Sequence, residues 1–383
     1  MIITRIKLKN WKNFGEVDVA CDKRVFLIGP NASGKSNFLD ALRFLRDVAE
    51  DGLEKAVESR GGMKAIRWLG ARQQPAINIS VTLDKIWEYS LSFDADKKSK
   101  LPIVVEEIVR HGTGADDTPK WKTVLRRPDK YDDDDTVRLT QTALQQVNAN
   151  KAFREIPEFF SSIQYRHILP QLVRDPKGFS PSPISNDPFG RDLVFQIWKT
   201  PGNIRKSRLD KVNKALRIAV PKLSGLTVIQ DDNGLPHLQV RHEHWRPQGA
   251  KQVESSLSDG TLRLLTLLWT LLDTGGPLLL EEPELSLHEE IVRQLPLLFA
   301  KLDRGKKKET RQVFITTHAQ AMLEGEGIGA NETLVLEPGA EGTKITAPTA
   351  EERKLILEGL SVAEVLLPRT KPADLQQLSL FSL

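Results

Sequence analysis

The pattern of apolar and polar positions near the start of the chain predicts a strand, a turn and a helix. The run from Val25 to Ile28 is short and wholly apolar, which is typical of a buried strand. A glycine-rich turn follows it. The next residues carry apolar side chains at helical spacing and so share one face of a helix: Phe38, Ala41, Leu42, Leu45 and Val48.

The period of the pattern changes to two between Ile77 and Leu125. Apolar residues alternate with polar ones in successive stretches, which predicts an antiparallel meander with one solvent-exposed face. The acidic run from Asp132 to Asp135 is predicted to be a solvated loop. Residues 136–220 have a helical pattern that prolines interrupt repeatedly. No heptad repeat continues through it, so a long coiled-coil arm is not expected.

The second half of the chain returns to strands. Two weaker strands, Leu226 to Gln230 and His237 to Val240, flank an Asp-Asn-Gly turn. From Leu257 to about Ile345 strand and helix patterns alternate, which indicates an α/β fold.

The composition is that of a globular protein. Of 383 residues, 39% are hydrophobic and 28% are charged, which excludes a wholly disordered chain. The formal net charge is +4, so any contact with nucleic acid must come from local basic patches. A single cysteine, Cys21, excludes an internal disulfide framework. We find neither a signal peptide nor a membrane-spanning segment, so we expect a cytoplasmic protein without a membrane partner.

Residues 29–36 read Gly-Pro-Asn-Ala-Ser-Gly-Lys-Ser and match the phosphate-binding pattern G-x-x-x-x-G-K-[ST] at every fixed position. Glycines let the backbone wrap phosphate oxygens, and free amides at the helix start attract negative charge. Lys35 would reach the β- and γ-phosphates, and the Ser36 hydroxyl would bind Mg²⁺. The alternative is a chance glycine-rich loop, which the strand before it and the helix after it disfavour. The residues predicted to bind ATP here are Gly29, Asn31, Ser33, Gly34, Lys35, Ser36 and Asn37.

A second motif combines an apolar strand pattern, Leu278 to Leu280, with two carboxylates, Glu281 and Glu282. A strand end beside a phosphate loop is where nucleotide hydrolases place a magnesium ligand and a residue that orients the attacking water. Glu281 is the candidate metal ligand and Glu282 the candidate for orienting the water. If this motif stood alone, an acidic loop after a buried strand would be the preferred interpretation.

Two further motifs lie near these carboxylates in the sequence. Ser-Leu-Ser-Asp-Gly-Thr at 256–261 precedes a long apolar helix pattern, and the Ser258 hydroxyl with the Gly260 amide would form an anion site there. The buried strand pattern from Val313 to Thr317 ends in His318. A single histidine after a strand is usually structural, but the order of the four motifs favours a functional role.

In this order the four motifs resemble the ABC-type ATPase heads of the SMC and RecF-like group. They are most similar to the small bacterial ATPases of the AAA-21 type, which are related to the OLD family. The resemblance covers most of residues 1–345. It implies that Ser258 and Gly260 complete the ATP site of another protomer. It also implies that Glu282 is the general base, that His318 senses the γ-phosphate and that Lys35 takes part in catalysis.

The resemblance also implies the architecture: an α/β, ABC-type P-loop NTPase head with an antiparallel β-subdomain and a mainly helical insertion. One ATPase lobe would cover 1–125, the insertion 126–250, a second lobe 251–345 and a C-terminal extension 346–383. The N-terminal run Asn10 to Phe14 is similar to the start of such heads.

The chain departs from the family pattern in several respects. Glu281 stands where aspartate is commoner, and the glutamine of the Q-loop is predicted at Gln73 or Gln74. The chain has neither a zinc hook nor the Toprim nuclease of OLD proteins, so any nuclease would be a separate chain.

Three other features suggest partners. Segments 205–217 and 301–311 are rich in lysine and arginine, which indicates either a solvated face or sequence-independent binding to DNA. His242 and His244 lack the further ligands of a zinc site. The C-terminal run Gln-Leu-Ser-Leu-Phe is similar to the bacterial sliding-clamp-binding pentapeptide. Its clamp contacts would be Gln377, Leu378, Leu380 and Phe381. Alternatively, this tail packs on its own head or on another subunit.

On the resemblance, the sequence predicts an ATPase that uses ATP and Mg²⁺ and forms a homodimer or higher homo-oligomer through ATP. It would control a separate effector protein, a nuclease or toxin, in bacterial antiphage defence. The alternative is a RecF-like ATPase of DNA repair that binds DNA near the sliding clamp. A third class, a detached transporter ATPase, would need a surface for membrane domains that we do not recognise in the sequence.

Overall fold

The computed structural model describes residues 1–71, 75–113, 119–175, 187–243, 250–304 and 311–370. Its strands are β1 (Ile3–Trp11), β2 (Phe14–Ala20), β3 (Arg24–Ile28), β4 (Ile77–Leu83), β5 (Trp87–Ala95), β6 (Pro102–Thr113), β7 (Lys120–Arg127), β8 (Gln164–Arg166), β9 (Leu223–Gln230), β10 (Pro236–His242), β11 (Ala250–Val253), β12 (Leu278–Glu281), β13 (Val313–Thr317), β14 (Thr333–Gly339) and β15 (Gly342–Thr346). Its α-helices are α1 (Lys35–Asp51), α2 (Leu53–Glu58), α3 (Met63–Ile66), α4 (Lys130–Asp134), α5 (Glu155–Ser161), α6 (Pro170–Arg174), α7 (Leu193–Lys199), α8 (Gly202–Ala219), α9 (Asp259–Leu271), α10 (Glu289–Arg304), α11 (Gln320–Glu324), α12 (Ala350–Leu357) and α13 (Val362–Leu366). Short 3₁₀ turns cover Thr136–Thr140, Ala149–Phe153, Glu254–Ser256, Ala330–Glu332 and Leu367–Thr370.

A six-stranded, mostly parallel sheet positions the predicted site. Its order is β15-β14-β3-β13-β12-β8, and only β15 pairs antiparallel to its neighbour. Ile28 at the end of β3 is in register with Thr317, and Thr316 is in register with Glu281. The carboxyl ends of β3, β13 and β12 therefore meet at one edge of the sheet, and the phosphate loop leaves β3 at the same edge.

A second six-stranded sheet is antiparallel throughout, with the order β2-β1-β4-β5-β6-β7. The meander predicted between Ile77 and Leu125 is confirmed by β4 to β7. The two weaker strands are also confirmed, since β9 and β10 pair antiparallel in a three-stranded sheet that β11 completes.

Successive side chains of the parallel strands belong alternately to two hydrophobic clusters, one on each face of the sheet. This is the pattern of a sheet that is covered on both faces. Leu27, Leu279 and Phe314 belong to the cluster that includes the apolar face of α1 and the inner face of the antiparallel sheet. Phe26 and Ile315 belong to the other cluster, which includes most of α9. Both faces of the parallel sheet are therefore packed, and this packing positions the strand ends that carry the predicted site.

Residues 126–250, predicted as a mainly helical insertion, contribute directly to the parallel sheet. Strand β8 pairs with β12 along Tyr165 and Leu279, so this short strand lies beside the one that carries Glu281. Helices α4 to α8 and strands β9 and β10 lie in this segment, and β11 begins at its last residue. The domain boundaries themselves stay predictions.

The prediction of a solvated loop at Asp132 to Asp135 is wrong for the backbone and for Asp132. Asp132 to Asp134 lie on α4 and Asp132 is 1% exposed, whereas Asp133, Asp134 and Asp135 are exposed as predicted. Its carboxylate accepts hydrogen bonds of 3.0 and 2.8 Å from the Arg127 guanidinium, which is itself buried. A guanidinium taken out of water requires a carboxylate partner, and this requirement overrides the local preference of an acidic run for solvent.

The basic segment 205–217 lies on α8, which packs through Leu209, Val212 and Leu216. The lysines and arginine on the outer face of this helix are exposed: Lys206, Lys211, Lys214 and Arg217. Binding of DNA to this face stays a prediction. Gln73, Gln74, His244, most of segment 301–311 and the clamp-like tail lie outside the described residues. In the part of the chain that the structure describes, no helix is both long and apolar enough to cross a membrane.

Candidate nucleotide-hydrolysis site

The phosphate loop joins β3 to α1 and has the backbone that its glycines require. Gly34 caps α1 with a φ of 98°, a left-handed conformation that favours glycine. The side-chain amide of Asn13 occupies the space where a Cβ at Gly34 would lie. No side chain caps the start of α1 and its first turn has no acidic residue, so its amides are available to an anion.

Lys35 is held inside this loop. Its Nζ donates to the carbonyl oxygens of Gly29 and Pro30 at 2.9 and 3.0 Å, and the residue is 7% exposed. Burial lowers the pKa of Lys35, while the nearby carboxylates of Glu282, Glu284 and Glu281 act in the opposite direction.

The loop also contains an unsatisfied donor. The Ser33 hydroxyl is buried and has no hydrogen-bond partner among the described residues. A buried hydroxyl without a partner is costly, and a phosphate oxygen would satisfy it. The loop therefore fits the triphosphate of a nucleotide. Asn31 lies exposed on the same turn.

Ser36 and Glu281 come together as a pair of oxygen donors. The Ser36 hydroxyl donates to Oε1 of Glu281 at 2.5 Å, and both residues line a groove of about 590 Å³. Hydroxyl and carboxylate oxygens are ligands that Mg²⁺ accepts, usually together with phosphate oxygens and water. Among the described residues no three acidic, histidine or cysteine side chains cluster as metal ligands. The pair therefore fits a magnesium ion whose remaining ligands come from a nucleotide and solvent.

Glu282 and His318 form a second pair at the ends of adjacent strands. Oε1 of Glu282 lies 3.0 Å from Nδ1 of His318. The Glu282 amide donates to the carbonyl and hydroxyl oxygens of Thr316, both at 3.2 Å. Glu282 has a φ of 43°, in the left-handed region that is uncommon for residues other than glycine. This turn directs the chain away from β12 immediately after Glu281.

A buried carboxylate beneath this pair was not predicted from the sequence. Glu284 is 5% exposed, and its Oε1 accepts a hydrogen bond of 2.6 Å from the Thr317 hydroxyl. Burial raises the pKa of Glu284. The Thr317 hydroxyl also accepts from the Ala319 amide at 3.0 Å, so the same contacts fix the backbone on both sides of His318. The signal in the sequence was a third glutamate in the motif that already supplied Glu281 and Glu282.

Ser258 and Gly260 lie at the start of α9. The Ser258 side chain caps its own helix by accepting from the Thr261 amide at 3.3 Å, and Ser258 is exposed. A Cβ at Gly260 would lie 2.7 Å from the carbonyl oxygen of Ser286, so glycine permits close packing between the helix start and the loop after β12. This placement leaves the Ser258 face open to another molecule.

Asn13, in the N-terminal motif noted in the sequence, ties the loop to its surroundings. Its side-chain amide donates to the Ser33 carbonyl at 3.0 Å and to the Thr343 hydroxyl at 2.8 Å. Its side-chain oxygen accepts from the side-chain amide of Asn37 at 2.8 Å. Asn37 therefore serves to position the loop through Asn13.

The structure thus brings Lys35, Ser36, Glu281, Glu282 and His318 to one edge of the parallel sheet. Their catalytic and metal-binding roles stay predictions, as do the trans roles of Ser258 and Gly260.

Comparisons with known proteins agree with this geometry. The family described as "AAA domain, putative AbiEii toxin, Type IV TA system" matches residues 24–324. No curated protein matches the chain.

Solved structures match over most of the chain. An SMC head bound to the C-terminal winged-helix domain of ScpA is 15% identical with a TM-score of 0.50, and the match covers 93% of this chain and 100% of that one. The SMC head domain of Thermotoga maritima is 14% identical with a TM-score of 0.45, over 91% and 100% of the two chains.

The predicted fold, an ABC-type ATPase head like those of SMC proteins, is confirmed by the first of these matches. With more than half of its length matched by the family, the chain belongs to the AAA-21 family of AAA domains.

Proposed function

We propose that this protein is an ATP-driven switch that hydrolyses ATP with Mg²⁺, dimerises around the nucleotide and controls a separate effector. The observation that carries the proposal is the alignment of two pairs at one sheet edge: Ser36 with Glu281, and Glu282 with His318. Both pairs lie beside the loop that holds Lys35. A phosphate loop alone would bind a nucleotide, whereas these pairs supply what hydrolysis requires in addition.

Each side chain has a distinct part in this proposal. Lys35 binds the β- and γ-phosphates, and Ser36 and Glu281 hold the magnesium ion. Bound there, the ion neutralises charge that develops on the phosphates. One oxygen of Glu282 is bonded to His318, which orients the carboxylate, and the other oxygen can accept a proton from water.

Dimerisation is supported by the exposed helix start at Ser258. A site on this face would present the Ser258 hydroxyl and the Gly260 amide to an anion on a second molecule. By likeness to SMC heads, that anion is the γ-phosphate held by another copy of this chain. The SMC head with a TM-score of 0.50 is bound to part of ScpA, which supports a separate protein partner here as well.

The family description names a toxin and a toxin–antitoxin system, which supports an effector of the toxin class. We therefore propose a role in bacterial antiphage defence, with ATP binding or hydrolysis controlling when the effector acts.

A second candidate function, DNA maintenance in the manner of RecF, is favoured by the exposed basic face of α8. Its four exposed cations match a DNA backbone in charge. This candidate predicts that the purified protein alone binds DNA, more strongly with ATP and less strongly as salt increases. Control of an effector instead predicts little DNA binding without the partner.

The experiment that tests the leading proposal is Glu282→Gln, with Glu289→Gln, at an exposed glutamate at the start of α10, as the control. We expect the first variant to bind ATP and accumulate as a dimer in sedimentation while its steady-state turnover falls about 100-fold or more. The control should behave as the wild type. Turnover at the wild-type rate in Glu282→Gln would contradict the catalytic assignment.

A further inference from the structure

Tyr165 lies on the strand beside the one that carries the candidate metal ligand. In the parallel pairing of β8 with β12, Tyr165 is in register with Leu279, two residues before Glu281. Its hydroxyl donates to Oε2 of Glu281. The other oxygen of the same carboxylate accepts from Ser36. Two hydroxyls from distant parts of the chain therefore hold both oxygens of one glutamate.

The ring of Tyr165 is fixed in place. It is 8% exposed, and the guanidinium carbon of Arg43 lies 4.1 Å from the ring centroid. A cation over the face of an aromatic ring stabilises this packing and restricts the ring. The hydroxyl is thus a preorganised donor directed at Glu281.

The chain that follows Tyr165 reaches the start of α9. Within α6, the Gln171 side-chain amide donates to Oδ2 of Asp259 at 3.0 Å. Arg174 Nη2 donates to Oδ1 of Asp259 at 2.5 Å and to the Leu257 carbonyl at 2.9 Å. Asp259 lies between Ser258 and Gly260, the residues proposed to act on a second protomer.

We infer that Tyr165 is a positioning residue for the metal carboxylate, and that residues 165–174 link this carboxylate to the helix start at Ser258. The inference rests on the proposed function, because it concerns the same metal and the same dimer. It follows from the contacts: the segment bonds Glu281 at one end and Asp259 at the other.

The chemistry of the link depends on which bond changes. A cation bound here would take oxygen ligands from Ser36 and Glu281 in place of the hydrogen bond between them. The bond from Tyr165 uses the other carboxylate oxygen, so it would orient Glu281 both with and without a cation. A shift of Glu281 would therefore be transmitted through this bond to β8, and through the contacts of α6 to Asp259. A ligand shifts the equilibrium between two conformations of a protein only through contacts that differ between them. Here the contact that would differ, with and without the cation, is the one between Ser36 and Glu281.

The first test is Tyr165→Phe, which removes the hydroxyl and keeps the ring under Arg43. Tyr131→Phe, at an exposed tyrosine, is the matched control. We expect ATP affinity measured in EDTA to stay at the wild-type value. In Mg²⁺ we expect it to fall about tenfold, because the Glu281 carboxylate that this bond orients would contribute to ATP affinity only through the cation. An equal change in both conditions, or no change in Mg²⁺, would overturn the positioning role.

The second test is Arg174→Met, examined in the Glu282→Gln background so that ATP is retained. The measured quantity is the ratio of dimer affinities in ATP with and without Mg²⁺. We expect this ratio to shrink at least fivefold, while Mg²⁺-dependent ATP binding by the monomer stays unchanged. If Arg174→Met weakens the dimer by the same factor in both conditions, it merely supports α9 and the link is wrong.

These outcomes separate the inference from the proposed function. If the wild type binds no ATP, or the Glu282→Gln parent never dimerises, the proposed function fails and the link fails with it. If both behave as proposed, but Tyr165→Phe matches Tyr131→Phe and Arg174→Met matches its Glu282→Gln parent, the proposed function stands and the link alone is rejected.

Discussion

The Ser36 hydroxyl donates to the Glu281 carboxylate at 2.5 Å although 245 residues separate the two in the chain. The parallel pairing of β3 with β13 and of β13 with β12 brings them together, because it aligns the three strand ends at one edge. Each residue supplies an oxygen of the kind that Mg²⁺ binds. Their contact is therefore the feature that joins the phosphate loop to the acidic strand as one site.

Replacing Ser36 by alanine tests this pairing. The variant loses one metal ligand but keeps the loop backbone, so we expect nucleotide binding without Mg²⁺ to be unchanged. The additional affinity that Mg²⁺ gives should fall about tenfold, the equivalent of roughly 1.4 kcal/mol. Titration with a fluorescent ATP analogue in EDTA and in Mg²⁺ measures both values. Ser207→Ala, at an exposed serine on α8, is the control, and equal losses in the two conditions would contradict a metal-ligand role.

Replacing His318 by alanine tests the second pair. Without the contact at Nδ1, Glu282 loses the group that orients its carboxylate. We expect kcat to fall about 100-fold with little change in the Kd for ATP, since the histidine acts on the reacting end of the nucleotide. Single-turnover hydrolysis and equilibrium binding separate the two quantities.

The control for this experiment is His288→Ala, at an exposed histidine near the start of α10. If weaker ATP binding in His318→Ala accounts for the whole decrease in the rate of hydrolysis, His318 serves to bind ATP and does not orient Glu282.

The core of this site could be predicted from the sequence because its residues stand at strand ends within recognisable local patterns. Lys35 and Ser36 follow an apolar strand in a fixed motif. Glu281 is the last residue of a second apolar strand, and His318 directly follows a third. Tyr165 could not be predicted, since its strand has three residues and lies within a region that prolines interrupt. Its bond to Glu281 depends on the pairing of β8 with β12, which no local pattern encodes.

The same limit applies to prediction of the fold: features that depend on distant contacts are not encoded in local patterns. The period-two meander and the strand–turn–helix unit were predicted because each is encoded by consecutive residues. The burial of Asp132 was not, because it depends on Arg127 on another element and on the desolvation of that arginine. Contacts that are set by tertiary burial overrule local polarity.

Arg127 provides a prediction on stability. Its guanidinium is 3% exposed and binds both Glu107, at 3.3 Å, and Asp132. Arg127→Met leaves the buried Glu107 carboxylate without a cation and Asp132 with only Arg138, at 3.7 Å, so we expect the free energy of unfolding to fall by about 3–5 kcal/mol. Urea denaturation measures the change.

The neighbouring Arg126 is the matched control, since it lies on the same strand and pairs with Glu106 at 2.9 Å in an exposed position. We expect Arg126→Met to cost less than about 1 kcal/mol. Similar losses for the two variants would show that burial does not govern the contribution of these pairs.

Glu284 provides a prediction on pH. Burial raises its pKa in the folded state above the ordinary value of 4.5, so the folded protein keeps this proton at pH values where the unfolded chain has lost it. The stability that this proton contributes is complete below the unfolded pKa and is lost as the pH rises through the folded pKa. Glu284→Gln does not titrate and can still accept the bond from Thr317.

The free energy of unfolding of Glu284→Gln, relative to that of the wild type, should therefore increase as the pH rises above 4.5. The gain cannot exceed about 1.4 kcal/mol per pH unit, the limit for one proton. Urea denaturation of both proteins between pH 4 and 8 measures it, and Glu289→Gln separates it from the general effect of removing one negative charge. Parallel curves for Glu284→Gln and the wild type would mean that the Glu284 carboxylate is as well stabilised in the fold as it is in water. In that case its contact with Thr317, and not its burial, would determine its charge state beside His318.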